Sequence, residues 1–134
     1  MKIDRVFLDA NILFSTAYGS PGLSMLWKRA KERLCVLFAS RYVIEEAKRN
    51  LSNENQINKL KEILSNIQIT PKADPSLPCP LDLPAKDRPV LMAAISARAD
   101  YLITGDLKHF GKYFGQTIEG VKICTAQDYL LRGD

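Results

Sequence analysis

The sequence predicts an α/β fold: a mainly parallel sheet of about five strands, covered on both faces by helices. Three observations lead there. Short apolar runs bounded by polar or turn residues recur along the chain, as strands do. Between them lie segments whose apolar residues repeat at helical spacing. Several runs are apolar at successive positions, the mark of a strand buried on both faces rather than one. Strands alternating with helices build βαβ units and so a parallel sheet.

The expected strands are residues 5–9, 35–39, 67–70, 101–104 and 121–124. Helical patterns fill the gaps. Residues 23–33 follow Ser20-Pro21-Gly22 and place Leu23, Leu26, Trp27 and Ala30 on one face. Residues 42–51 carry Val43, Ala47 and Leu51, and residues 55–65 carry Ile57, Leu60 and Leu64. Two more helices are expected at 88–99 and 126–131. Between the third strand and the fourth helix, residues 70–86 hold five of the seven prolines (Pro71, Pro75, Pro78, Pro80, Pro84). That density excludes helix and central strand, so the stretch reads as a surface loop.

At 134 residues, the chain is expected to form a single domain spanning 1–134, with enough length for a core that needs no staples. With 46% apolar and 25% charged residues it reads as globular, not disordered. No apolar run is long enough to span a bilayer, and the first strand starts too near Met1 for a signal peptide, so a cytoplasmic protein is expected. Cys35, Cys79 and Cys124 show neither zinc-ligand spacing nor a disulfide framework.

Four acids stand where secondary structure changes. Asp9 ends Val6-Phe7-Leu8, and Asp106 ends Tyr101-Leu102-Ile103-Thr104-Gly105. In an open parallel sheet, ligands collect outside the carboxyl ends of the strands. Carboxylates brought there by separate strands repel unless a cation lies between them, which points to a divalent metal site. Gly105 is expected to let the backbone turn sharply, and Thr104 and Asn11 to support the acids by hydrogen bonding. Glu46 lies at the border of the stripe formed by Val43, Ala47 and Leu51, whereas Glu45 points more nearly to water; a solvated salt bridge is the competing role for Glu46. Asp87 precedes Arg88-Pro89-Val90-Leu91, a pattern that equally makes it a helix N-cap. Capping is also the competing role for Asp9 and Asp106. His109, the single histidine, reads as a surface or packing residue.

The chain has 19 Lys and Arg against 15 Asp and Glu. Setting the four acids aside leaves 19 against 11, a surplus of eight positive charges around an acidic cleft. That balance suits a polyanionic substrate, and also suits ordinary solubility. Lys86, Arg88 and Lys108 lie nearest the acids in sequence and are the expected phosphate contacts; Lys28, Arg29, Lys31 and Arg33 read as a solvated helix face.

The order and setting of these acids resemble the PIN domain family. Val6-Phe7-Leu8-Asp9-Ala10-Asn11-Ile12-Leu13 looks like its opening strand, and Ser40-Arg41-Tyr42-Val43-Ile44-Glu45-Glu46 like its second acidic motif. Asp87-Arg88-Pro89-Val90-Leu91 resembles the third, and Asp100-Tyr101-Leu102-Ile103-Thr104-Gly105-Asp106 the fourth. The resemblance implies a three-layer α/β/α sandwich. It also implies an endoribonuclease dependent on one or two Mg²⁺ or Mn²⁺ ions, with Asp9, Glu46, Asp87 and Asp106 as catalytic and metal-binding residues. Chains of this size resemble toxins of type II toxin–antitoxin pairs, which implies an RNA substrate, a small antitoxin partner and a homodimer. A non-catalytic RNA-binding or protein-interaction module on the same fold is the alternative. A phospho-acceptor receiver fits poorly, because Leu8 precedes Asp9 where that family carries a second acid. A haloacid-type phosphatase would need an acid where Asn11 stands.

Overall fold

A computed structural model describes residues 2–132; Met1 and residues 133–134, the ends of the expected domain, lie outside the described residues. Among the described residues, six strands form one sheet in the order β3-β2-β1-β4-β6-β5. They are β1 (Asp4–Leu8), β2 (Cys35–Ser40), β3 (Gln68–Thr70), β4 (Tyr101–Ile103), β5 (Thr117–Ile118) and β6 (Val121–Cys124). All neighbours pair parallel except β5 and β6. The helices are α1 (Ala10–Ala17), α2 (Pro21–Lys31), α3 (Arg41–Arg49), α4 (Glu54–Leu64), α5 (Arg88–Ser96), α6 (Leu107–Phe110) and α7 (Ala126–Leu131).

The chain winds from β1 outward to β2 and β3, then crosses back to place β4 on the other side of β1. Helices flank the sheet. The boundary between β1 and β4 is where the strand order reverses. These two strands are also the most deeply enclosed: Val6, Phe7, Leu8, Leu102 and Ile103 are wholly buried. Their unbroken apolar character has that physical cause.

Five expected strands are present within a residue at each end. The sixth, β5, escaped notice because it is two residues long and joined to β6 through Glu119 and Gly120, both at positive φ (48° and 88°). Positive φ at both central residues matches a tight hairpin turn, but Glu-Gly lacks the Asn or Asp that usually announces one. Helix α1 was also not expected. Its eight residues are apolar around most of the circumference, which blurs the helical period in a short segment. Helix α5 ends at Ser96 rather than residue 99, where Arg98 turns into the left-handed region at φ 55°.

Capping explains most helix starts. Ser40 Oγ accepts from Val43 N–H, Asn53 Oδ1 from Asn55 N–H and Thr125 Oγ1 from Asp128 N–H. Pro21 opens α2, where its missing N–H costs no helical bond. Buried Trp27 on α2 donates Nε1–H to the Ile63 carbonyl of α4 at 3.0 Å, tying these helices together.

The proline-rich stretch is irregular, but its end is anchored. Leu83 is buried, Arg88 Nε donates to the Leu83 carbonyl at 2.9 Å, and the Tyr42 hydroxyl of α3 donates to the Lys86 carbonyl at 2.7 Å. These contacts set Asp87 against the carboxyl end of the sheet.

Candidate metal centre

Asp9, Glu46, Asp87 and Asp106 line one open pocket together with Ala10, Asn11, Phe14, Asn50 and Lys86. The four acids come from four different elements and converge where β1 and β4 end. The structure thus brings together the whole acidic set that the sequence singled out.

Asp9 lies just past β1 and is almost wholly buried. Its Oδ1 accepts from Ala10 N–H at 2.7 Å. Its Oδ2 accepts from the Thr104 hydroxyl at 2.8 Å and from Asn11 Nδ2 at 3.2 Å. Burial pushes the Asp9 carboxyl up to about 6, with the charges of Asp87 and Glu46 adding to it and the Thr104 and Ala10 hydrogen bonds opposing it.

Thr104, fully buried at the end of β4, also accepts from the Asp106 N–H at 3.1 Å. Asn11 donates to the Thr104 hydroxyl at 3.2 Å and accepts from the Gly105 N–H at 2.8 Å. Gly105, where a sharp turn is expected, does not take a positive φ. A Cβ there would stand 3.4 Å from Asn11 Oδ1, an ordinary van der Waals contact.

Asp87 holds the N-cap position of α5, yet its side chain makes no capping bond. Burial raises its carboxyl above the ordinary range; the Asp106 charge adds to this and His109 counteracts it. Its Oδ2 is enclosed by protein and accepts no hydrogen bond among the described residues. Asp106 does cap: Oδ1 accepts from His109 N–H at 3.1 Å and starts the short helix α6.

Glu46 faces this pocket with no side-chain partner among the described residues, whereas Glu45 is exposed and pairs with Lys72 at 3.1 Å. Helical phase separated the two correctly, and Ile44 joins the buried stripe. The expected phosphate contacts divide. Lys86 reaches the rim of the pocket. Arg88 does not: its guanidinium is tied to Leu83, and it lines a separate cleft under the proline loop. Lys108 is exposed on α6 and is not among the residues lining the acidic pocket.

His109, expected to be a surface or packing residue, lies against two of the acids. Its side chain is four-fifths buried, and Nδ1 lies 2.9 Å from Oδ2 of Asp106 and 2.9 Å from Oδ2 of Asp87. The ligand atoms of Asp87, Asp106 and His109 all fall within 4.8 Å of one another. Asp9 and Glu46 share the pocket without joining that tight group. The available signal was the three-residue spacing from Asp106, which puts two side chains on one face of a helical turn.

A family model described as PIN domain matches residues 5–108, more than half of the chain and all four acidic positions. The chain belongs to the PIN domain family. Two solved structures are similar to this PIN domain. One is a chain of VapBC2 from Rickettsia felis, solved bound to a DNA fragment from their promoter; it is 19% identical with a TM-score of 0.64, over 90% of this chain and 98% of that one. The other is a chain of VapBC-1 from nontypeable Haemophilus influenzae, 16% identical with a TM-score of 0.57, over 92% of this chain and 98% of that one. At such identities these likenesses establish the shared fold, an α/β sandwich around a mostly parallel sheet. No curated protein matches the sequence. No helix among the described residues is long and apolar enough to cross a membrane.

Proposed function

We propose that this PIN domain is a divalent-metal-dependent endoribonuclease, and that it is the toxin half of a toxin–antitoxin pair. The observation that carries the nuclease reading is the buried Oδ2 of Asp87, left without a hydrogen bond inside a pocket of four carboxylates. A carboxylate oxygen enclosed in protein without a hydrogen bond is costly, and a cation removes that cost together with the repulsion among the acids. Donors that are mostly carboxylate oxygens suit Mg²⁺ or Mn²⁺. Asp9, Asp87 and Asp106 are the residues that would hold the ion, with Glu46 at the rim. Bound there, it would supply charge neutralisation for a phosphodiester and a more acidic water.

The chain's own groups account for the rest. Thr104 and Asn11 hold Asp9 in one orientation, so little reorganisation is needed when charge develops in the pocket. Glu46, without a side-chain partner, is placed to accept a hydrogen bond from water entering the pocket. Lys86 offers a cation at the rim to a phosphate of the substrate backbone, and the basic surplus of the chain favours approach of a polyanion.

The toxin reading is supported by the two similar chains from VapBC structures, 98% of whose length is matched. A small antitoxin is then the expected protein partner, encoded by a short overlapping upstream reading frame. A neighbourhood with no such frame would favour a free-standing nuclease.

The direct test is cleavage of labelled single-stranded RNA by the purified protein with Mg²⁺ or Mn²⁺ and with EDTA. Cleavage that stops with EDTA, and is lost in Asp9→Asn and Asp106→Asn variants that remain folded, is the expected result. RNA binding without cleavage under every metal condition would instead identify a non-catalytic module, and full activity in either variant would remove the acids from the mechanism.

A further inference from the structure

We infer that His109 is itself a metal ligand, coordinating through Nδ1 beside Asp87 and Asp106, and that this nitrogen tilts the site from Mg²⁺ toward Mn²⁺ or another first-row transition ion. The inference rests on the metal-site reading above and goes beyond the four acids by adding a neutral nitrogen donor.

Geometry is the first argument. His109 Nδ1 is 2.9 Å from each of two carboxylate oxygens on different elements, one from the start of α5 and one from the start of α6. Adjacent ligands of a six-coordinate ion with bonds of about 2.1 Å stand about 3.0 Å apart, so these contacts have the spacing of neighbouring corners in such a shell.

Hydrogen-bond accounting is the second. Nδ1 carries at most one proton, and only the contact to Asp106 has hydrogen-bond geometry. Asp87, only 7% exposed, keeps an oxygen aimed at the same nitrogen with no hydrogen bond. A cation among the three atoms would satisfy Asp87, Asp106 and the Nδ1 lone pair at once, leaving the imidazole proton on Nε2.

The third argument is preorganisation. Asp106 and His109 are three residues apart on one turn, a spacing at which a carboxylate and an imidazole project together. Asp106 Oδ1 holds the His109 backbone N–H while Oδ2 faces the ring, so both donors are fixed by the same contact. Imidazole is a good ligand for transition ions, whereas Mg²⁺ favours oxygen donors and retained waters.

Because the chain has one histidine, the assignment can be read spectroscopically. Untagged protein loaded with Mn²⁺ is examined by pulsed electron paramagnetic resonance, with natural-abundance protein, protein carrying ¹⁵N-histidine, and the His109→Gln variant. The expected result is ¹⁴N modulation that converts to ¹⁵N on labelling and vanishes in the variant. Mn²⁺ affinity should fall about 10–100-fold in His109→Gln, with a smaller loss for Mg²⁺. Tight Mn²⁺ binding with no histidine nitrogen coupling, and with unchanged affinity in the variant, would reduce His109 to a hydrogen-bonding prop while leaving the acidic metal site intact. No Mn²⁺ binding by the wild-type chain would overturn both this inference and the metal-site reading.

Discussion

The Thr104 hydroxyl couples the two acids that end β1 and β4: it donates to Asp9 Oδ2 at 2.8 Å and accepts from the Asp106 N–H at 3.1 Å. A single buried oxygen therefore fixes one carboxylate by its side chain and the other by its backbone.

Replacing Thr104 by Val keeps the shape of the side chain and removes both bonds, together with the one the hydroxyl accepts from Asn11 Nδ2. Asp9 loses its shortest side-chain donor inside a buried site, so the expected cost is about 1–3 kcal/mol of stability. Thr104→Ser, which keeps the hydroxyl, should recover most of it. Urea unfolding of the three proteins in EDTA checks the prediction; equal midpoints for Val and wild type would remove Thr104 from the support of the site.

The metal-free protein should become less stable, relative to an Asp9→Asn variant, as pH rises from 4 to 7. Asp9 ionises near 3.8 when unfolded but at about 6 when folded, mainly because burial penalises the carboxylate. Its protonated form thus favours the fold; that contribution is complete below pH 3.8 and is lost as pH rises through about 6. The difference between the two curves should reach on the order of 3 kcal/mol. Parallel stability–pH curves would contradict it.

Asn11→Asp should be worse for the site than Asn11→Ala. Both remove the donors to Asp9 and Thr104, but Asp leaves an additional carboxylate against Asp9 Oδ2. In EDTA the Asp variant should therefore recover stability on acidification more steeply than the Ala variant. Circular dichroism melts at pH 5 and pH 8 separate the cases, and identical pH slopes would count against close contact at this position.

Lys86 and Arg88 should behave differently toward RNA. Lys86→Ala should weaken binding and reduce the dependence of log affinity on log salt by about one phosphate contact. Arg88→Ala, whose guanidinium serves the Leu83 carbonyl, should leave that slope unchanged and lower thermal stability instead. Fluorescence anisotropy titrations of Asp9→Asn protein carrying each change, across a salt series, give the slopes; a shift with Arg88 and none with Lys86 would reverse the assignment.

Much of this molecule was legible in one dimension because periodicity is a local property. The apolar runs that became β1, β2 and β4 announced burial on both faces, and the acids just past β1 and β4 announced the crevice. Glu46 separated from Glu45 because the 3.6-residue repeat of α3 puts Val43 and Ala47 inside and leaves Glu46 at their edge. The hairpin of β5 and β6 and helix α1 were less legible, being short elements whose residues do not carry the usual signals.

What the sequence by itself determined was five of the six strands, the phases of the longer helices and the positions of Asp9, Glu46, Asp87 and Asp106 near element boundaries. Only the tertiary structure decided which neighbours those acids meet. Thr104 bonds Asp9 across 95 residues of sequence, and Tyr42 pins the loop before Asp87 across 44. His109 on α6 gained its place between two carboxylates because the fold brings the start of α5 beside it. Arg88, next to Asp87 in sequence, was turned away by the Leu83 carbonyl. The physical reason is range: backbone preference and hydrophobic period act within a few residues, whereas a carboxylate's partners are set by which strand ends the sheet brings side by side.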